Sequence, residues 1–403
     1  MKLRTIRDIK GLRDKKVLLR IDANVPVKDG KVLDEFRLWA VRPTIEYLTG
    51  RGAVVVIIAH LGRPDGKRNE KYTLKPIAKR LSQILGRVVT FVPELGGPHA
   101  KRLVEAAVPG QVFMLENLRF DRGEESNGGS FAKKLSQFGE VYVNDGFAVS
   151  HRAHASVSAI TRFLPSYAGL LMERELKILG GLLAKPKRPS VAIIGGAKIG
   201  TKIGLIKKLA AAYDKVLVGG GLINPILVAK RFEIGNSLLD KVDQATLAPI
   251  LKLKNLVMPV DVLVGNADKP AAPIRSVPIA TGTPFVICRK PEGIVDIGPR
   301  TMLAWGLLVK RAKTVVWNGP MGIFEVPRFA HGTMALAQAI ASRAKGRALG
   351  VVGGGETVEA MYKTGMAKWV DHISTGGGAM LEFLEGKVLP GVKPLYGRMK
   401  KIV

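Results

Sequence analysis

The 403-residue chain has a single cysteine, Cys288, which excludes an intramolecular disulfide framework and a cysteine-based metal cluster. Its six histidines are scattered and form neither His-Glu-x-x-His nor zinc-finger spacing. No apolar run approaches the ~18 residues of a membrane span, and the opening MKLRTIRDIKG has no apolar h-region. The chain is therefore expected to be a soluble, cytoplasmic protein without membrane partners. Acidic residues are few, 33 Asp+Glu against 63 Lys+Arg, for a formal net charge of +30. Aromatic residues make up 6%, with no nucleic-acid-binding signature beside the charge.

The positive excess is not a basic arm. Residues 1–165 carry 29 Lys+Arg against 17 Asp+Glu, and residues 166–403 carry 34 against 16. An excess spread in this way fits phosphorylated substrates and weak, salt-sensitive contact with nucleic acid, and equally a habit of the source organism. At roughly 100–200 residues per domain, the length predicts two or three domains.

Short apolar runs alternate with amphipathic stretches along the whole chain. Lys16–Ile21 predicts a strand ending in Asp22-Ala23-Asn24; Ala53–Ala59 predicts one ending in His60-Leu61-Gly62-Arg63-Pro64. Val88–Phe91, Val112–Leu115 and Val141–Val143 read the same way, and Glu35–Leu48 and Thr73–Leu85 read as helices, the second capped by Thr73. In the second half, Val216–Val218, Thr314–Trp317, Leu349–Val352 and His372–Thr375 each lead into glycines. Polar or glycine residues just past strand ends are the pattern of open parallel sheets, which bind ligands at their carboxyl edge. The expected class is α/β, with two doubly wound parallel-sheet, Rossmann-like domains. A long helix over Met172–Leu183 and the breaker Lys185-Pro-Lys-Arg-Pro189 mark the change of domain, and Gly386–Val403 reads as an extended return over the surface.

The stretch Ser190–Lys208, SVAIIGGAKIGTKIGLIKK, reads as a buried strand, a glycine turn and a helix start. Lys198 and Lys202, four apart, share one face if a helix starts here and would then serve a triphosphate; taken alone the stretch is as well read as a helix with exposed lysines after a tight turn. Thr201-Lys202 reverses the Lys-Ser/Thr order of a Walker A motif. Ala197 occupies the second glycine position of a dinucleotide fingerprint, which counts against a nicotinamide-dependent oxidoreductase. In the first half, Arg20, Arg37, Arg63, Arg119 and Arg152 lie near strand ends with His60, His151 and His154. Guanidinium forks bind carboxylate and phosphate in bidentate fashion, so converging arginines suit a small, multiply charged anion; singly, each is as well read as a surface ion-pair partner.

Nine motifs together resemble the phosphoglycerate kinase family, in family order from about Val17 to Val392. They are Arg20-Ile-Asp-Ala-Asn-Val-Pro26, His60-Leu-Gly-Arg-Pro64, Leu115-Glu-Asn-Leu-Arg-Phe120, His151-Arg-Ala-His-Ala-Ser156, Gly195-Gly-Ala-Lys198, Asp296-Ile-Gly-Pro-Arg-Thr301, Val316-Trp-Asn-Gly-Pro-Met-Gly-Ile-Phe-Glu325, Gly353-Gly-Gly355 and His372-Ile-Ser-Thr-Gly-Gly-Gly378. The resemblance implies Mg2+-dependent phosphoryl transfer between ATP and the carboxylate of 3-phosphoglycerate, giving ADP and 1,3-bisphosphoglycerate after two hinged domains close. It places 3-phosphoglycerate on residues 1–170, through Asp22, Asn24, Arg37, His60, Arg63, Arg119 and Arg152, with His154 in the same basic cluster. Residues 171–189 would be the interdomain helix and linker. The nucleotide falls on residues 190–385, through Gly196, Lys202, Gly220, Asn318, Glu325, Gly353, Gly354, Glu356 and Thr357. Residues 386–403 would return toward the first domain. Arg37 and Lys198 match the groups that stabilise the phosphoryl group in flight, Glu356 the residue linked to the metal, and the family is usually monomeric.

Some positions depart from the family wording. Glu356 stands where the family commonly has Asp, which implies metal binding with shifted geometry or through a water. Leu222-Ile223-Asn224-Pro225 replaces Met-Ala-x-Thr at the base-side pocket, Gly200-Thr201 makes its turn more cationic, and Asn144–Ser150 has its glycine moved. The alternative reading is a basic nucleic-acid-binding protein on an α/β scaffold.

Overall fold

The computed structural model describes residues 2–279 and 286–397. The chain divides into two compact units, the first made of Met1–Lys177 and Val388–Val403, the second of Ile178–Lys387.

In the first unit, β1 (Lys16–Arg20) is followed by a small hairpin, β2 (Val27–Lys28) and β3 (Lys31–Val32), and then by α1 (Phe36–Thr49) and β4 (Val54–Ile58). Next come α2 (Lys75–Leu85), β5 (Val89–Val92), α3 (Pro98–Glu105), β6 (Val112–Leu115), α4 (Arg122–Glu125), α5 (Gly129–Ser136), β7 (Val141–Asn144) and β8 (Ser166–Ala168). Six strands pair in parallel in the order β5-β6-β4-β1-β7-β8. The unbroken apolar run of β4 is buried at all five positions because helices cover both faces of the sheet. Val17, Leu19, Val55 and Ile57 join a core with Leu38 and Val41 of α1 and Ile77 and Leu81 of α2. Leu18, Val54 and Val56 point the other way, to Val104 of α3 and Phe131 and Leu135 of α5. Each such side chain, fully buried, contributes roughly 1.5–3 kcal/mol.

From there α6 (Leu170–Ala184) leads into β9 (Ser190–Ile194), α7 (Ile203–Ala212), β10 (Lys215–Val218), α8 (Ile223–Ala229), β11 (Glu233–Ile234), α9 (Gln244–Leu251) and β12 (Leu256–Val257). A second series comprises β13 (Asp261–Gly265), β14 (Arg275–Pro278), β15 (Val286–Cys288), β16 (Gly293–Ile297), α10 (Pro299–Arg311), β17 (Thr314–Asn318), α11 (His331–Arg343), β18 (Leu349–Gly353), α12 (Gly355–Lys363), β19 (His372–Ile373) and α13 (Gly378–Leu384). The main sheet is again six parallel strands, in the order β12-β10-β9-β17-β18-β19. Val191, Ile193, Val315 and Trp317 pack beneath Trp305 and Val309 of α10 and Leu336 and Ile340 of α11. Strand order reverses between β9 and β17, so the crevice at their carboxyl ends is the place where such a sheet takes a ligand.

Four expectations need correction. No helix carries Lys198 and Lys202 together: α7 begins at Ile203, with Lys202 at its N-cap. Ile199 is fully buried between them, which turns Lys198 out to solvent and Lys202 inward. The helix starts at Lys75, later than Thr73: Thr73 Oγ1 still accepts the Lys75 amide, at a long 3.4 Å, while the buried Glu116 carboxylate takes the Thr73 hydroxyl (2.8 Å) and the Leu74 amide (3.0 Å). The tail is not a surface strap over its described part: Leu389 and Leu395 are buried and Lys393–Leu395 forms a 3-10 turn. Its last residues, 398–403, lie outside the described residues. Finally, an antiparallel sheet β14-β13-β16 and a β11–β15 pair interrupt the expected α/β alternation.

Candidate functional site

In the first unit, the loops after β1, β4, β6 and β7 bring the predicted cations together. Arg20 is fully buried at the end of β1. Its Nε donates to Ser156 Oγ (2.9 Å), its Nη1 donates to the Ile21 carbonyl, and its Nη2 faces His60 Nδ1 at 3.2 Å. Burial, reinforced by the charges of Arg20, Arg119, Arg152 and His154, holds His60 well below the ordinary imidazole range. Burial with Arg119, Arg20 and Arg152 likewise pulls His154 down to about 4. Both rings are therefore neutral at pH 7.

Arg119 is 3% exposed; its Nη1 donates to the Gly62 carbonyl (2.6 Å) and its Nη2 pairs with Glu125 (2.9 Å). Burial lowers its pKa, opposed by Glu125 and aided by Arg152 and Arg20. Arg37 donates to Asp22 Oδ2 (2.6 Å) and to the Asn24 carbonyl (3.1 Å), so Asp22, itself buried, aims Arg37. Asn24 Oδ1 accepts the Gly62 amide (2.9 Å), tying the first loop to the second. Gly62 has φ +60°, and a Cβ there would lie 2.3 Å from the Tyr72 ring, so the close approach requires glycine. Arg63 is exposed, and Arg152 is half-buried with its Nε on His151 Nε2 at 3.3 Å.

One acid is embedded among these cations. Glu124, fully buried on α4, accepts the Ser156 amide (2.9 Å) and hydroxyl (2.6 Å), and lies 3.8 Å from His154 Nδ1. Nothing in the sequence marks it, since a buried glutamate reads like a solvated one until its partner Ser156, 32 residues on, is in place.

In the second unit, the anion site is built chiefly from backbone at the β9–β17 crevice. A Cβ on Gly195 would lie 2.1 Å from the Pro320 carbonyl, and one on Gly319 would lie 2.1 Å from the Gly195 carbonyl. Lys202 Nζ crosses the crevice to the Gly195 carbonyl (2.6 Å) and Asn318 Oδ1 (2.7 Å). Burial lowers its ammonium to about 8, opposed by the charge of Glu356. Asn318 Nδ2 donates to the Gly353 carbonyl (2.8 Å), the Gly319 amide donates to Thr357 Oγ1 (2.6 Å), and Gly354 packs against Asn318 Nδ2. Lys198 stands exposed in the loop beside them, and Glu356 is exposed in the first turn of α12.

Next to this crevice lies a cavity of about 410 Å³ lined by Gly196, Gly220, Gly221, Pro320, Met321, Glu325 and Glu356. Its far wall comes from Asn236, Ser237, Leu238, Ala267, Asp268, Gly293 and Asp296. Of the residues placed at the nucleotide, Gly196, Gly220, Glu325 and Glu356 line this cavity; Lys202, Asn318, Gly353, Gly354 and Thr357 are linked in the adjoining network. Apart from Asp296, which heads one of the motifs, the far wall is not legible in the sequence, because most of it comes from turns and loops that flank the short strands between 233 and 297. Burial pushes Asp296 up to about 7 although it accepts the Gly332 (2.7 Å) and Ile297 (2.8 Å) amides. Asn224, in the departing Leu222–Pro225 stretch, lines the same cavity and donates to the Leu238 carbonyl (2.8 Å).

Comparison with known proteins agrees with this geometry. A family model described as phosphoglycerate kinase matches residues 6–387. A phosphoglycerate kinase of Moorella thermoacetica is 45% identical over 399 residues, covering 97% of this chain and 98% of its own. One of Thermosipho africanus is 42% identical over 403 residues, covering 98% of each. The solved phosphoglycerate kinase of Coxiella burnetii superposes with a TM-score of 0.84 at 36% identity, covering 98% of this chain and 99% of that one. The nucleic-acid-binding alternative finds no support in these matches. Two six-stranded parallel sheets, a guanidinium cluster on one and a glycine crevice on the other, together with similarity along nearly the whole length, establish that the chain belongs to the phosphoglycerate kinase family.

Proposed function

We propose that this chain catalyses the reversible transfer of the γ-phosphoryl group of ATP to the carboxylate of 3-phosphoglycerate, giving ADP and 1,3-bisphosphoglycerate. The observation that carries the reading is the pair of unlike anion sites at the carboxyl ends of the two sheets. Fixed guanidinium groups on the first suit a small carboxylate-and-phosphate acceptor. The first turn of α12, the glycine turns around it and a half-buried lysine on the second suit the phosphates of a nucleotide, with the adjoining cavity for its base and ribose.

The acceptor carboxylate is already ionised, so the reaction needs no general base. It needs the reacting atoms held about 3–3.5 Å apart and the charge on the transferring group neutralised. Arg63, Arg119 and Arg152, with Asn24 and neutral His60, hold the acceptor. Arg37, steered by Asp22, and Lys198 neutralise the oxygens of the group in transfer. Lys202, Asn318, Thr357 and the glycine turns hold the donor phosphates, and Glu325 lines the cavity that takes the base and ribose.

Among the described residues no three His, Cys, Asp or Glu side chains gather as a metal cluster. A Mg2+ that travels with nucleotide phosphates uses only one or two protein carboxylates, and exposed Glu356 beside the crevice fits that requirement. Its charge would offset that of the phosphates. No described helix is long and apolar enough to cross a membrane.

A coupled assay tests the reading: ATP, Mg2+ and 3-phosphoglycerate are supplied, with glyceraldehyde-phosphate dehydrogenase and NADH reporting bisphosphoglycerate. NADH oxidation should require all three components. Lys198→Ala should lower kcat by about 10²-fold while KM moves less, because a charge that acts on the transition state is lost. No turnover in the wild type, or an unchanged kcat in the variant, would overturn the corresponding assignment.

A further inference from the structure

We propose that Glu124, acting through Ser156 and Arg20, is a positioning residue that fixes His60 as the tautomer with its hydrogen on Nε2, and so sets the donor His60 offers to the acceptor anion. The proposal rests on the reading of this cluster as the 3-phosphoglycerate site.

The direction of every hydrogen bond in the chain is forced. A carboxylate only accepts, so the Ser156 hydroxyl hydrogen is committed to Glu124 Oε1, 2.6 Å away. That leaves the hydroxyl oxygen its lone pairs, one of which accepts Arg20 Nε at 2.9 Å. Arg20 Nη1 is taken by the Ile21 carbonyl, which leaves Nη2 to His60 Nδ1 at 3.2 Å. A guanidinium has no acceptor, so Nδ1 must carry the lone pair, and in the neutral ring the hydrogen sits on Nε2. Arg20 is fully buried among other cations, an arrangement that is costly without a compensating acid. Glu124, also fully buried, supplies that charge one hydroxyl away.

The carboxylate can be altered without releasing the loop that carries Ser156. The Glu124 carbonyl accepts the Ala155 amide (2.9 Å), and Asn127 Oδ1 accepts the Ala159 amide (3.0 Å). Those anchors survive Glu124→Gln and Ser156→Ala. In Glu124→Gln one of the two oxygens that separately accept the Ser156 amide and hydroxyl becomes an NH2 donor, so the observed pair of bonds cannot persist in that geometry. In Ser156→Ala the relay ends at Arg20, which is free to turn from His60.

The test is ¹⁵N NMR of histidine-labelled enzyme, with the His60 signals identified by their loss in His60→Gln, together with steady-state kinetics. Wild type should show one tautomer, bare at Nδ1 and protonated at Nε2. Both relay variants should show a mixed or reversed pattern and an approximately tenfold higher KM for 3-phosphoglycerate. The KM for ATP should stay within about twofold, a split that general destabilisation would not give. If Glu124→Gln does not fold, Ser156→Ala decides. An unchanged His60 pattern in Ser156→Ala overturns the relay, whatever KM does. A changed pattern with an unchanged KM for 3-phosphoglycerate overturns its role in binding. A wild type with the expected tautomer but no affinity for 3-phosphoglycerate would leave the relay standing and remove the acceptor reading instead.

Discussion

The two units use the same framework, six parallel strands with the ligand edge at their carboxyl ends, and build opposite kinds of anion site on it. In the first, charge sits on long side chains that neighbouring residues aim: Asp22 aims Arg37, and Gly62 and Glu125 aim Arg119. In the second, the approach of three backbone segments does most of the work, and a half-buried cation, Lys202, is held by a carbonyl and an amide oxygen. A side-chain site should lose affinity in increments as groups are removed. A backbone site should fail at once when the backbone is forced apart, and Lys202, with its lowered pKa, makes it sensitive to pH.

The sharpest way to break this comparison is a methyl group. A Cβ on Gly195 would lie 2.1 Å from the Pro320 carbonyl and 2.7 Å from that of Gly319. Displacing backbone costs about 1–3 kcal/mol or more, so Gly195→Ala should weaken nucleotide binding by about 10²-fold. Affinity for 3-phosphoglycerate should stay within about twofold, and calorimetry with each ligand separately reads both numbers. Equal losses would mean that the two sites are not independent.

The next effect is set by pH. Lys202 holds its proton only below about 8, so nucleotide affinity should fall as pH rises past that value, by about tenfold at pH 9. The first unit's arginines keep their charge over the same range, so 3-phosphoglycerate affinity should stay flat between pH 7 and pH 9. A parallel decline in both titrations would remove Lys202 as the cause. Arg63→Ala is smaller still in reach: KM for 3-phosphoglycerate should rise about tenfold, as for one lost charged hydrogen bond, with KM for ATP unchanged.

The smallest effects are in stability, and they run in opposite directions. His154 is neutral in the native state down to about 4, whereas the unfolded chain takes up that proton near 6.5. Stability is therefore lost as pH falls through that window, and His154→Gln should cost less at pH 5 than at pH 7.5. Asp296 keeps its proton to about 7 in the native state against 3.8 when unfolded. Its contribution is full below 3.8 and lost as pH rises toward 7, so Asp296→Asn should cost more at pH 5 than at pH 7.5. Both differences are at most roughly 2 kcal/mol. Denaturant midpoints at the two pH values check the signs, and drift in the same direction would contradict one of the two burial arguments.

How far each site was legible follows from the same contrast. Strands buried on both faces appear as unbroken apolar runs, and Val112–Leu115 is found at its predicted limits for that reason. The arginines and glycines just past those runs were legible as well, because position relative to a strand end is a one-dimensional property. Glu124 was not, because its burial depends on Ser156 in another loop. Lys198 and Lys202 do not share a helix face because four-residue spacing implies one only if the helix has begun, and α7 begins at Ile203, after both. The short strands from 233 to 297 were also missed; β14, with three of its four residues exposed, offers almost no apolar pattern.

The tail has a consequence in time. Arg4 N donates to the Leu395 carbonyl, Gly391 N donates to the Ser150 carbonyl, and Leu389 and Leu395 are buried, so the first unit is assembled from both extremes of the chain. All of 178–387 lies between those parts. As the chain is synthesised, the second unit holds every residue it needs while the first still lacks its closing segment. The unit that begins first is thus finished last, and the guanidinium cluster at its sheet edge waits on the segment from 388 to 397.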